Sequence, residues 1–164
     1  MARLRVGAGF VLLAFLFAAF SATAENFEKA PSFHLEDLTG KIVKLGDFSG
    51  KVVYLDFWGT WCPPCIEETP HLIELYKRYQ DKGFVVVGIS LGESQRSVEN
   101  FVKKMKVPYP VLFGDEEVVD NYHGIAFLPT AFVIDRKGFI RRKIFGYRDK
   151  EEIEQLILPL LGES

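Results

Sequence analysis

Two cysteines are all that this chain of 164 residues contains. That scarcity excludes a small fold stapled by disulfides, because at most one bridge within the chain can form. It also excludes a four-cysteine zinc site, and the three histidines, His34, His71 and His123, are scattered without ligand spacing. Net charge is scarce as well. Twenty basic residues face 22 acidic ones for a formal charge of −2, so a phosphate-binding surface for nucleic acid is not the chain's main business. Low-complexity tracts, internal repeats and blocks of like charge are missing, which removes solenoids and charged tails from consideration. An apolar content of 48% excludes wholesale disorder, and the length suits one domain.

The apolar residues are not evenly spread. Arg3 and Arg5 precede a run from Val6 to Phe20 without a polar side chain, and Ser21-Ala22-Thr23-Ala24 follows. A charged segment, an apolar segment and a small-x-small site, in that order, read as a secretory signal cut after Ala24. The alternative is a retained anchor, since the 19 residues from Val6 to Ala24 approach the ~20 needed to span a bilayer. On either reading residues 25–164 form one exported domain, periplasmic or otherwise extracytoplasmic. Removing residues 1–24 takes away two arginines and no acidic residue, so 18 basic side chains face 22 acidic ones and the charge becomes −4.

Glu25 to Pro31 reads as a linker. Phe33 and Leu35, a turn containing Gly40, then Ile42, Val43 and Leu45 predict a hairpin. The runs from Val52 to Trp58, β-branched and aromatic but for Asp56, and from Phe84 to Leu91, apolar but for Ser90, read as buried central strands. Between them, Ile66, Leu72, Ile73, Leu75, Tyr76 and Tyr79 mark the inward face of a helix over 63–82, closed by Gly83. Further helices are predicted over 94–105, 116–122 and 150–161, strands over 130–135 and 139–145, and a short extended piece framed by Pro108 and Pro110 and ending at Phe113. Strands alternating with helices, then a hairpin and a closing helix, give an α/β fold with a mixed central sheet.

The chemistry is concentrated where the first buried strand ends, in Asp56-Phe57-Trp58-Gly59-Thr60-Trp61-Cys62-Pro63-Pro64-Cys65. Cysteines at i and i+3 opening a helix lie within disulfide reach. The strand-to-helix junction is expected to aim Cys62 outward at the positive end of the helix dipole, where a thiol is acidified and attacks other disulfides. Cys65, one turn in, is shielded and resolves the mixed disulfide. The prolines fit the first helical turn, where a missing N–H matters least. A structural zinc half-site lacks its second cysteine pair. A static bridge closing so small a loop would constrain the unfolded chain little.

At this point the chain resembles the thioredoxin superfamily, and more narrowly the extracytoplasmic TlpA/ResA-type thiol-disulfide oxidoreductases. WCPPC after the VVYLDFW strand carries the likeness. Ala30-Pro31-Ser32-Phe33-His34-Leu35 with Asp37-Leu38-Thr39-Gly40 resembles the N-terminal hairpin these proteins share with peroxiredoxins. Glu68-Thr69-Pro70 resembles the family's E-x-P, Leu128-Pro129-Thr130 its cis-proline loop, and Phe84 to Tyr109 its strand-helix insertion. The resemblance implies a thioredoxin-like fold over residues 25–164, with a cis Pro129 beside the cysteines and backbone near Leu128 free to pair with an extended substrate. Trp61, Pro63, Leu128 and Pro129 are then the expected substrate-binding residues.

Two acids stand near the cysteines. Asp56 lies in an apolar strand, where burial would raise its pKa and let it take the Cys65 proton. It matches the buried acid of thioredoxin and departs from the neutral residue of many ResA-like members. Glu68 matches the family's acidic position and is expected to tune the cysteines or shuttle protons. Glu67 reads as solvated, Trp61 as a surface flank and Trp58 as core. Pro70 is expected to kink its helix.

Pro63 and Pro64 supply no backbone donors to a thiolate and no histidine sits between the cysteines, so the expected potential is reducing. In an oxidising compartment a reductase needs continuous electrons. The resemblance implies a membrane thiol-transfer protein as donor and the CxxCH cysteines of apocytochrome c as an acceptor. No cofactor is expected beyond a redox-active Cys62–Cys65 disulfide, and no metal. The alternatives are a disulfide oxidase or isomerase on the same fold, a peroxiredoxin-like protein, and a Sco-like copper-delivery protein, for which the cysteines are one residue too close.

Overall fold

Alternating apolar residues set the first two strands. β1 (His34–Glu36) and β2 (Ile42–Lys44) pair antiparallel across a turn that Asp37 closes, its Oδ1 accepting the Thr39 and Lys41 amides. The computed structural model describes residues 27–162, so the expected signal or anchor at 1–24 lies outside the described residues. The hairpin forms a small sheet of its own, bridged to the main sheet between Asp37 and Leu112.

The main sheet comprises β3 (Val52–Trp58), β4 (Phe84–Ser90), β5 (Val111–Phe113), β6 (Thr130–Ile134) and β7 (Ile140–Phe145). Their order is β5-β4-β3-β6-β7. β3, β4 and β5 run parallel, while β6 and β7 are antiparallel to their neighbours. This is the mixed thioredoxin-like sheet that the alternation of elements predicts, with the N-terminal hairpin and the strand-helix insertion both present. Every residue of β3, β4 and β6 is buried, because both faces of the sheet are covered.

Among the described residues the α-helices are α1 (Pro63–Tyr79), α2 (Gln95–Met105), α3 (Glu116–Asn121) and α4 (Lys150–Leu161). The period-two alternation of β3 divides the core in two. Tyr54 and Trp58 face one way, onto Leu72 and Leu75 of α1, Val98 of α2 and Ile153 of α4. Val53, Leu55 and Phe57 face the other, toward the hairpin's Leu35, Val118 of α3 and Tyr122. Leu75, fully buried at the α1 side of this sandwich, is a sensitive probe of it. Leu75→Ala should destabilise the domain by about 2–5 kcal/mol in urea titration, and a loss under 1 kcal/mol would contradict this packing.

Three expectations need correction. Ile66, read as an inward position of α1, is 37% exposed, because it falls on the rim of the apolar stripe, beyond the edge of the sheet. The segment read as a linker is tied down from Glu28 onward. Ile140 donates its amide to the Glu28 carbonyl, Ala30 donates to Gly138, and Lys29 bridges to Phe139. The first helix stops at Tyr79; a short 3-10 turn over Gln80–Lys82 completes it, and Gly83 supplies the left-handed cap at φ 84°. The helix continues through Pro70.

Candidate active site

β3 delivers the chain to the top of α1 through a single turn. Cys62 closes it by donating its amide to the Gly59 carbonyl at 3.2 Å. The indole of Trp61 folds back over Gly59, where a Cβ would stand 2.9 Å from its nitrogen, so any larger residue at 59 would displace that exposed ring. Cys62 is the N-cap of α1, and Pro63 and Pro64 occupy its first turn. The cysteines are joined as a disulfide, with Cα atoms 5.3 Å apart. The Cys65 amide donates to the Cys62 sulfur at 3.3 Å, so one backbone donor reaches that sulfur despite the prolines.

Both cysteines are only 3% exposed. The outward-aimed Cys62 expected from the sequence is therefore corrected. It forms the floor of a groove of about 500 Å³, walled by Trp61, Pro63 and Pro64, by Leu91 and Gly92, and by residues 125–128. Trp61 and Phe127, 63% and 71% exposed, stand on its rim. Of the expected substrate-binding residues, Trp61, Pro63 and Leu128 share this groove. The Leu128–Pro129 bond is cis, and the Pro129 carbonyl accepts the Gly146 amide at 2.8 Å.

Two acids are buried in the elements that flank the cysteine turn, Asp56 in β3 and Glu68 in α1. The alternation that aims Tyr54 and Trp58 at α1 aims Asp56 there too. Asp56 is 5% exposed and Glu68, one turn past Cys65, is 1% exposed; Glu67 is exposed. Glu68 Oε1 accepts the Arg148 amide at 2.8 Å. Its other oxygen and Asp56 Oδ1 find no hydrogen-bond partner in the protein. Burial pushes the Glu68 pKa up to about 7, against the opposing pull of the Arg148 amide and charge. Asp56 is pushed well above the usual carboxylate range, by burial first and the Glu68 charge second. A bridge that opens to a thiol at the groove floor, with two carboxyls of raised proton affinity in the flanking strand and helix, has the parts for thiol-disulfide exchange with proton transfer. Among the described residues no three His, Cys, Asp or Glu side chains cluster as metal ligands would.

The AhpC/TSA family pattern matches residues 27–143. The chain belongs to this family. Its relatives narrow the activity. It is 39% identical over 130 residues to the thiol-disulfide oxidoreductase ResA of Bacillus thuringiensis, covering 79% of this chain and 75% of that one. It is 38% identical over 139 residues to ResA of Bacillus subtilis, covering 84% and 76%. Among solved structures, a thiol:disulfide interchange protein of the thioredoxin family from Chlorobium tepidum superposes with a TM-score of 0.78 at 33% identity, covering 83% of this chain and 97% of that one. StoA from Bacillus subtilis gives 0.66 at 27%, covering 79% and 96%. Like these ResA-type members of the family, the chain is a thiol-disulfide oxidoreductase.

Several site residues have little or no signal in the sequence. Phe127 had a faint one, an aromatic side chain two positions before Pro129. Leu91 and Gly92 wall the groove only because β4 ends beside the cysteine turn, where the Leu91 amide donates to the Trp58 carbonyl at 3.0 Å. Arg148 reaches Glu68 through its backbone, which no residue pattern reveals.

Proposed function

We propose that this family member reduces protein disulfides outside the cytoplasm, with Cys62 as nucleophile and Cys65 as resolving thiol. The reading rests on the disulfide at the floor of an apolar groove, with a buried acid in the strand before it and another in the helix after it. In the reduced protein the Cys62 thiolate attacks one sulfur of a substrate disulfide. That S–S bond breaks, a mixed disulfide forms, and one substrate thiolate leaves. Cys65 then loses its proton and attacks the Cys62 sulfur, expelling the second substrate thiolate. The substrate gains two electrons, and the chain is left with its Cys62–Cys65 bond.

Glu68 is the acceptor for the Cys65 proton, since its raised pKa of about 7 matches a neutral operating pH. Asp56 is biased toward its protonated form by burial first and the Glu68 charge second. Trp61, Pro63 and Leu128 hold the substrate segment, with Pro129 behind Leu128.

The direction of electron flow follows from how little stabilises a thiolate. Pro63 and Pro64 donate nothing, and the Cys65 amide is the one donor shown at the Cys62 sulfur. A poorly stabilised thiolate favours the disulfide and a reducing potential. Residues 1–24 supply the export signal or anchor. A membrane thiol-transfer protein is the electron donor, and the CxxCH cysteines of apocytochrome c are an acceptor of fitting chemistry. Equilibration with glutathione or dithiothreitol tests the direction. The midpoint should fall nearer thioredoxin's, about −270 mV, than DsbA's, about −120 mV. A value near DsbA's would overturn the reductase reading and favour an oxidase.

A further inference from the structure

Glu93 lies in the short loop between β4 and α2, and its carboxylate takes three donors. Oε1 accepts the Thr60 amide at 2.8 Å and the Thr60 hydroxyl, and Oε2 accepts the Ser90 hydroxyl at 2.9 Å. Each partner belongs to a different part of the site. Thr60 sits in the turn between Gly59 and Cys62. Ser90, buried, is the last residue of β4. The loop that carries Glu93 begins with Leu91 and Gly92, which wall the groove over Cys62. One side chain therefore joins the cysteine turn, the end of a core strand and the groove wall, across 33 residues of sequence.

We propose that Glu93 is a positioning residue for thiol-disulfide exchange: it fixes the Cys62 turn against the groove wall, so that a docked protein disulfide meets Cys62 in line. It touches neither sulfur nor substrate. The turn it holds belongs to neither β3 nor α1, and the disulfide restrains that turn only while the protein is oxidised. No sulfur takes part in the Glu93 bonds, so they persist when the Cys62–Cys65 bond opens and the thiolate must be aimed. Hydrogen bonds to a carboxylate are roughly twice as strong as neutral ones, which suits a clamp on a segment without secondary structure. Small disulfides depend less on this alignment, because they reorient freely within the groove and reach the in-line geometry without being held by its walls.

The test compares rates for the reduced protein with insulin and with a small aromatic disulfide, 5,5′-dithiobis(2-nitrobenzoate). Glu93→Ala should slow insulin reduction about tenfold and change the small-disulfide rate by less than about twofold. Glu93→Gln keeps a carbonyl for Thr60 and an amide that can donate to the Ser90 hydroxyl, so it should restore the insulin rate to within about twofold of the parent. Thr60→Val, which removes one donor and leaves the amide bond, should show the same selective loss in smaller measure, and it decides the matter if Glu93→Ala does not fold. Equal losses toward both disulfides, an undiminished insulin rate in a folded Glu93→Ala, or a Gln variant no better than Ala would each overturn the proposal. Since exchange rates are compared rather than a midpoint, a wrong direction of electron flow in the proposed function leaves this result readable.

Discussion

Cys62→Ser abolishes insulin reduction, with a loss on the order of 10⁴-fold or more, while the fold survives. The serine hydroxyl is not ionised at neutral pH and cannot form the mixed disulfide. The bridge closes a loop of only two intervening residues, so its removal changes the entropy of the unfolded chain little. Cys65→Ser has a different signature. Cys62 still attacks, but nothing resolves the product, so the protein accumulates joined to its partner through one intermolecular disulfide. Non-reducing electrophoresis reads this directly, and the trapped species identifies the natural substrate. If Cys62→Ser accumulated mixed disulfides and Cys65→Ser did not, the roles of the two cysteines would be reversed.

Glu68→Gln gains stability and loses activity. In the unfolded chain this carboxyl has the ordinary value of 4.5, and in the folded protein burial raises it to about 7. Between those two values the folded state holds a proton that the unfolded state has released. Raising the pH through that window therefore favours unfolding, and the penalty reaches roughly 3 kcal/mol above pH 7. Below pH 4.5 it vanishes. Glutamine removes the titration and keeps an oxygen for the Arg148 amide. Urea titrations of the oxidised protein should then show variant and parent nearly equal at pH 4 and the variant ahead by roughly 3 kcal/mol at pH 8. A difference that does not change with pH would sink this account. The same variant should resolve mixed disulfides about 10²-fold more slowly at neutral pH, since the proton acceptor for Cys65 is gone. A destabilising acid retained at a functional site is the usual form of the stability–activity trade-off.

Much of this molecule was legible before folding was considered. The mainly apolar runs at 52–58 and 84–91 read as buried strands, and both are central strands, the second ending at Ser90. The helix over 150–161 is present at those bounds, and the cysteine pair opens α1 as its spacing requires. Those features are local, and hydrophobic periodicity and helix-start chemistry report local structure directly. Periodicity groups Asp56 with Tyr54 and Trp58, but only the packing shows that this face meets α1.

What tertiary structure alone decided is where segments distant in the chain meet. Glu67 and Glu68 are adjacent in sequence, yet only Glu68 is buried, because consecutive helical residues point about 100° apart and the sheet lies on one side. Cys62 was expected to face outward, and Trp61, residues 125–128 and the end of β4 close around it. Ile66 was expected inward and stands at the rim. The Glu93 clamp joins residues 60, 90 and 93 through hydrogen bonds that no local pattern encodes. The sequence by itself determined the fold class, the elements and the two sulfurs. The packing of α1 and the β4–α2 loop against the end of β3 decided the groove, the two buried proton sites and the register of the nucleophile. Side-chain period specifies which face of an element is apolar, but only contact between elements specifies what that face meets.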